Sequence, residues 1–281
     1  MEENSFESPS LSFHYRRKDR ADLPGRRKTM TTNARARPHA RVTTDTQPSA
    51  PRSNALLANI LAPGERAHIA GLLKPVSLTF GEPLYESQPI RHVYFPVDCV
   101  VSLLAPLEGH LAVELALVGS EGMIGVQLAL GVRSTSVQAV VQGSGTALRM
   151  GASRFQGELQ RSTALHTGIN RYIHLLMGQF SQTAACNAFH PIEARCARWL
   201  LTTRDRMQSD EIELTHEFLA QMLGVRRVGV TVAAGSLQRQ GLIAYSRGHI
   251  TILDPERLAA AACECYMVVK KLYNSLAIGA R

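Results

Sequence analysis

The sequence predicts an α+β chain in three parts: a barrel of short antiparallel strands, one long amphipathic helix, and a C-terminal unit of two short helices and a hairpin. Three observations carry this. Short apolar runs cut by Gly and Pro fill residues 75–150. The apolar period becomes helical from Ser153 onward. From Glu213 the chain reads ELTHEFLAQMLGVRRVGVTVAAGSLQRQGLIAYSRGHITILD, which parses as helix, tight turn, helix and two strands.

The N-terminal stretch, 1–52, is rich in Arg, Ser, Thr and Pro, and holds eleven Lys or Arg against six Asp or Glu. With few large apolar residues it is expected to be a disordered basic tail. Its clusters Arg16-Arg17-Lys18 and Arg26-Arg27-Lys28 read as a phosphate-binding arm or as a solvated tail, and Met30 is an alternative start. The tail accounts for most of the formal net charge of +8. The remainder is close to neutral and gives only weak compositional support for a nucleic-acid partner. No apolar run is long enough to span a membrane, and the tail lacks the apolar core of a secretory signal. Five scattered cysteines, Cys99, Cys186, Cys196, Cys263 and Cys265, suggest reduced thiols and a cytoplasmic setting.

Residues 54–73 look like a short helical entry, with Leu56, Leu57, Ile60 and Leu61 on one side. Strands are expected at Val76–Phe80, His92–Phe95, Val100–Leu104, Leu111–Val118, Val137–Val141 and Thr146–Met150. Many short strands at this spacing make an antiparallel barrel or jelly roll. In the long helix, Leu165, Ile169, Tyr172, Leu176 and Thr183 recur at helical spacing, flanked by Ile173, Met177 and Phe180. That stripe is broad enough to pack on the barrel and on a twin helix as well. His190-Pro191 ends it, and a second helix follows over 192–207, with Ala194, Ala197, Trp199, Leu200 and Leu201 as core candidates.

Thr215 is placed to cap the next helix, with Glu217 in its first turn, where a negative charge suits the helix dipole. Phe218, Leu219, Met222 and Leu223 give it an apolar face, and Gly224 can end it with a positive φ. Val225 is expected to be the buried residue of the turn. The second helix is expected over 226–240, stopped by Gly241, with Val228, Val232, Leu237 and Ala233 turned inward. Arg226, Arg227, Thr231, Gln238 and Arg239 are left outside. Leu242–Tyr245 and His249–Ile252 read as strands joined by a basic tip at Ser246-Arg247-Gly248. This is the plan of a helix-turn-helix with a wing, whose second helix enters the major groove of double-stranded DNA. Arg226, Arg227, Val230 and Thr231 are the expected base readers, since Arg can bind guanine bidentately and apolar groups can touch a thymine methyl. Thr215, His216, Ser236, Arg239, Arg247 and His249 are the expected phosphate contacts.

The runs LTHEFLAQMLGVRR, LQRQGLI and RGHITILD, with HPIEARCARWLL upstream, resemble the winged helix-turn-helix of the Crp/Fnr family of bacterial transcription regulators. The resemblance extends over about 53–266. It implies a cyclic-nucleotide-binding-like jelly-roll sensor over 53–153, a dimerisation helix over 154–187, a DNA-binding domain over 188–266 and a C-terminal helical tail over 267–281. It also implies a homodimer reading a twofold operator, and RNA polymerase as a further partner if the chain is an activator. The chain departs from the family's pattern in two places. Val228 and Val232 stand where the family's recognition helix carries Glu and a second Arg, so a different operator is expected. In the phosphate cassette, aligning Gly125 to the family's Gly puts Val126 where the ribose-binding Glu belongs. Arg133, Ser134 and Thr135 match the Arg end and could hold an anion with Gly125. Cyclic nucleotide is therefore not expected, no cofactor is assigned, and the effector is left unnamed.

No Walker loop, nucleophile elbow or paired His-Glu motif is present, so an enzyme is not expected. The alternative to a regulator is a ligand or redox sensor acting through protein contacts, with a vestigial DNA-binding domain. Cys263-x-Cys265 lies on an apparent helix, where residues two apart do not face one another, and the ten His residues are dispersed. No metal site is expected.

Overall fold

The computed structural model describes residues 53–85, 89–107, 110–246 and 248–278. The basic tail expected over 1–52 lies outside them.

The entry is two helices rather than one, α1 (Ala55–Ile60) and α2 (Pro63–Leu72). Pro63 separates them, because proline is accepted at a first turn but not inside a helix. Asn54 caps α1 by accepting from the Leu57 amide, and its side-chain amide donates to Pro96 O and Gly122 O. The cap thus ties the entry to the barrel.

The barrel is two antiparallel sheets. One has strand order β1 (Lys74–Leu78), β7 (Gly145–Gly151), β3 (His92–Pro96). The other runs β2 (Pro83–Tyr85), β6 (Gln138–Gly143), β4 (Val100–Leu107), β5 (His110–Val118). The expected strands are all present, and β2 is additional; with three residues bounded by proline it is too short to give a periodic signal. Alternate residues of the two sheets, among them Val93, Phe95, Val101, Leu103, Ala139, Val141 and Ala147, interdigitate in one core with Leu56, Leu57 and Ile69 of the entry helices. That is the jelly-roll arrangement the alternation predicts.

The helical region expected from Ser153 is broken in two. α3 (Ala152–Arg161) stops at Ser162, and α4 (Thr163–Phe189) starts there with the Ser162 side chain accepting from the Leu165 amide. The apolar stripe Leu165, Ile169, Tyr172, Leu176 packs wholly into the barrel core. Those four residues are used up inside the subunit, while Met177 on the flank of the stripe is exposed. The C-terminal helix α9 (Cys265–Ile278) lies along α4, with Tyr273 donating to Gln179 Oε1 at 2.6 Å.

The C-terminal unit comprises α5 (Ile192–Met207), β8 (Glu211–Glu213), α6 (His216–Leu223), α7 (Arg227–Arg239), β9 (Ile243–Ser246), β10 (His249–Ile252) and α8 (Pro255–Ala261). Its core, built on Trp199, Leu200, Leu219, Leu223, Ala234, Leu237 and Ile250, also takes in Leu104, Ala112 and Val140 from the outer face of the four-stranded sheet. The two units therefore share buried surface. The phenyl rings of Phe80 and Phe218 add to this seam, with centroids 5.5 Å apart. The helix expected over 255–266 breaks at 262–264, between α8 and α9.

Candidate DNA-reading surface

The capping and turn signals at α6 are realised. Thr215 caps α6, its hydroxyl accepting from the Phe218 amide at 3.1 Å. Gly224 ends α6 at φ +62°, and a Cβ there would lie 2.7 Å from Val113 Cγ2 on β5. Glycine is therefore needed for the left-handed turn and for the approach to the barrel. Val225 is half-buried against the core rather than fully enclosed.

The second helix, α7, has a different rotation from the one expected. Val230, Ala233, Ala234 and Leu237 are its buried residues, at the i, i+3, i+4, i+7 spacing of an inward face. Val228 and Val232 are 74% and 64% exposed. The correction is therefore twofold. Val230 is fully buried and reads no base, and the two valines expected inside stand outside. Small Ala233 and Ala234 let α7 sit close to α5 and α6, which takes the face that larger aliphatics would otherwise fill. The outward face is Arg227, Val228, Thr231 and Val232, with Arg226 at its start and Gln238 and Arg239 toward its end.

This face is held from two sides. Arg227 Nε lies 3.8 Å from Glu217 Oε2 on α6, both side chains exposed. The Thr231 hydroxyl donates to Arg227 O at 3.1 Å and lies 3.1 Å from His216 Nδ1. The His216 ring stacks on Tyr245 of β9, centroids 4.1 Å apart. One imidazole thus touches the start of α6, the middle of α7 and the wing. Burial, and secondarily Arg227, lowers its pKa. Tyr245 is fixed in turn by its amide, which donates to Gln238 Oε1 at 3.0 Å.

The flanking residues divide. Arg239 and His249 are exposed, His249 lying 4.0 Å from Glu213. Ser236 is half-buried and accepts from Gln240 Nε2 at 3.3 Å. Thr215 and His216 are half-buried at the start of α6. Arg247 lies outside the described residues; the neighbouring Gly248, at φ +88°, makes the turn of the wing.

The residues proposed for an anion at the barrel are not gathered round one void. Gly125 opens a 3-10 turn, Val126–Leu130, at φ +90°. A Cβ on Gly125 would lie 3.0 Å from His92 O and 3.3 Å from Val93 Cγ1, so core atoms already press on it. Val126 is 9% exposed and packs into the core. Thr135 Oγ1 accepts from Gln127 Nε2 and from the Val137 amide, as a turn bracket. The Arg133 guanidinium reaches Gln156 and Ser153 on α3, and Ser134 is exposed. A cleft of about 300 Å³ beside this turn is lined by other residues, from Pro83 to Tyr85 and from Pro89 to His92. Tyr85 is pushed up to about 12 by burial, against hydrogen bonds to Gln127 and the Gly125 backbone.

The family model described as the Crp-like helix-turn-helix domain matches residues 194–261. The chain carries a Crp-like helix-turn-helix domain on a Crp/Fnr-type regulator fold. Three solved structures illustrate the likeness. A transcriptional regulator of the Crp/Fnr family from Eubacterium rectale is 20% identical, with TM-score 0.59, covering 73% of this chain and 96% of its own. FixK2 from Bradyrhizobium japonicum is 16% identical, with TM-score 0.59, covering 68% and 98%. TTHA1359, a Crp/Fnr family regulator from Thermus thermophilus, is 22% identical, with TM-score 0.57, covering 67% and 98%. At these identities the likeness speaks for the fold. Comparison with curated proteins gave no match. The matched domain is a helix-turn-helix, and among the described residues no helix is long and apolar enough to cross a membrane.

Sequence reasoning missed two groups. Val228 and Val232 could have been found from the 230/233/234/237 period, which fits one helix face better than the larger valines do. The second group is Cys186, His190, Cys263 and Cys265, which the fold brings together. Cys186 and His190 are one helical turn apart, a spacing that does share a face. Nothing local, however, joins them to the other pair.

Proposed function

We propose that this Crp/Fnr-type chain is a cytoplasmic homodimer that reads a twofold DNA operator and switches transcription in response to a signal received at the barrel. It acts as a binder, not as an enzyme. The observation that carries the reading is the exposed face Arg227–Val228–Thr231–Val232, pinned by Glu217, His216 and Tyr245 at the start of a helix. A guanidinium there can bind guanine O6 and N7, and the valine methyls can pack on a thymine methyl. The Thr231 hydroxyl is already engaged, leaving its methyl for the same purpose. Arg226, Arg239 and His249 then serve the phosphate backbone.

Support for the dimer comes from the outer side of α4. Asn170, His174, Met177, Ser181, Ala184 and Ala188 are exposed and recur in alternating steps of four and three, the period of a coiled-coil seam. Two subunits joined there would carry two recognition helices on one side. The signal at the barrel is a small molecule other than a cyclic nucleotide, since core atoms press on Gly125 and Val126 fills the place of a ribose carboxylate. His190-Pro191, between α4 and α5, sets the direction in which the DNA-binding unit leaves the long helix. RNA polymerase is a partner if the dimer activates.

Selection of bound sequences from a random duplex pool tests the proposal. The expected result is a twofold site with half-sites about one helical turn, roughly 10 bp, apart, and a steep fall of affinity with salt. Binding to the chain's own upstream region no tighter than to random duplex would overturn it, and would favour a sensor acting through protein contacts.

A further inference from the structure

Cys186 and His190 lie on the last turn of α4 and at its C-cap, Cys263 lies in the break between α8 and α9, and Cys265 opens α9. The donor atoms of all four lie within 4.8 Å of one another. Cys186 Sγ and Cys263 Sγ are 3.5 Å apart, and Cys265 Sγ is 3.4 Å from His190 Nδ1. A tetrahedral zinc ion has Zn–S near 2.3 Å and Zn–N near 2.0 Å, so its ligand atoms stand roughly 3.5–3.8 Å apart. The two shortest contacts, 3.5 and 3.4 Å, lie near that spacing, and the remaining donor pairs lie within 4.8 Å. A two-iron cluster would need two ligand pairs spread by the iron–iron distance, and this group is too compact for it.

The surroundings suit a cation bound by thiolates. His190 presents Nδ1 to the thiols, while its Nε2 lies 3.2 Å from Glu264 Oε1. A carboxylate on the far nitrogen is the arrangement that fixes the tautomer and orientation of a metal-bound imidazole. Gln182 Nε2 donates to Cys265 Sγ at 3.0 Å, as ordered amides do to ligating sulfur. Arg195 and Arg198 are buried on the neighbouring helix α5. Three thiolates and one neutral imidazole around a divalent ion carry one net negative charge, which these arginines offset. Apolar packing alone explains three buried sulfurs but not the imidazole with its carboxylate.

We propose that Cys186, His190, Cys263 and Cys265 bind a structural zinc ion that clamps the C-terminal helix to the end of the long helix. All four positions belong to protein, so the site is closed and the ion is not catalytic. The clamp sits immediately before Pro191, where α5 leaves toward the DNA-binding unit. It closes a loop from Cys186 to Cys263, 77 residues apart, that contains the whole helix-turn-helix and its wing. It therefore holds the direction in which that unit departs.

The test uses the full chain, purified with thiols reduced, stripped of metal, and titrated with zinc chloride or cobalt chloride. One ion per chain is expected, and cobalt should give thiolate charge-transfer bands with the intense visible bands of a tetrahedral site. Cys265→Ala and His190→Ala should lose the ion. Cys99→Ala, whose thiol is in the barrel core, should keep it. Should the ligand variants fail to fold, Glu264→Gln, at an exposed position, should remain folded and bind about tenfold more weakly. Each of the following would overturn the proposal: no stoichiometric ion, equal retention by Cys265→Ala, iron with acid-labile sulfide, or a Cys186–Cys263 disulfide in protein whose thiols were blocked at lysis. These readouts do not involve DNA, so they stand or fall apart from the operator experiment.

Discussion

Trp199 on α5 donates its indole N–H to Glu114 Oε1 on β5 at 3.0 Å, across the seam between the DNA-binding unit and the barrel. Glu114 is 7% exposed, and its other oxygen accepts from Ser102 Oγ at 2.8 Å. Burial raises its pKa, while Ser102, Arg198, Trp199 and Arg206 pull the other way. A carboxyl is thus enclosed where the two units meet, and Trp199 is the only tryptophan in the chain, so its emission reports on that seam.

The raised pKa of Glu114 means that docking favours the protonated acid. The stabilisation is full below the ordinary carboxylate value and is lost as pH rises through the raised one. Trp199 emission should therefore shift toward that of a solvated indole as pH rises above the ordinary carboxylate range. Glu114→Gln, which keeps an acceptor for Trp199 without a titrating proton, should flatten that change. An unchanged pH profile in Glu114→Gln would refute the assignment. Glu114→Ala leaves the indole N–H without its acceptor, while Ser102 keeps Gln142, and should cost about 1–3 kcal/mol in thermal or denaturant unfolding.

Arg227→Ala should weaken operator binding by about 1–3 kcal/mol and relax preference at one base position. Val228→Ala and Val232→Ala, at exposed sites, should alter base preference while changing stability by less than about 0.5 kcal/mol. Val230→Ala should do the reverse, lowering stability by about 1–3 kcal/mol with base preference retained. Sequence selection on the four variants, with melts alongside, separates the two faces. Altered preference in Val230→Ala but not in Val228→Ala would show that the helix is presented differently to DNA.

Charge on the outer side of α4 should break the dimer. Met177→Glu and Ala184→Glu, both at exposed positions, should yield folded monomers in sedimentation and lose twofold operator binding. Leu176→Ala, in the barrel core, should instead cost about 2–5 kcal/mol of stability. Dimers persisting in both charged variants would place the interface elsewhere.

His216 should act as a brace for the reading face. Its lowered pKa means the folded state prefers the neutral ring, so this contribution is full above the ordinary imidazole value and is lost as pH falls toward the lowered one. Operator affinity should fall over that mildly acid window, and His216→Gln should lose most of the dependence. NMR titration of the ring gives the check: a His216 pKa at or above the ordinary value would rule this out.

Much of the fold was legible because its signals are local. Apolar alternation marked six strands, Thr215 and Gly224 bounded α6, and Pro191 marked the end of α4, each through a steric or hydrogen-bonding rule acting within a few residues. The C-terminal unit was likewise readable from its own forty residues or so. The breaks at Pro63 and Ser162 fall inside stretches read as continuous, each made by one local rule, a first-turn proline and a serine cap.

The sequence by itself determined the order of the elements, the helix-turn-helix and its wing, and the arginines at the head of the recognition helix, since all of these follow from capping, turn chemistry and period. The tertiary structure settled which face of α7 turns outward, where the larger valines competed with the 230/233/234/237 period, through the close approach of Ala233 and Ala234 to α5 and α6. It alone placed the α4 stripe wholly inside the subunit, buried Glu114 beneath Trp199, and gathered Cys186, His190, Cys263 and Cys265. Those relations join residues tens of positions apart. Chain closure and packing bring them together, and no local propensity records either.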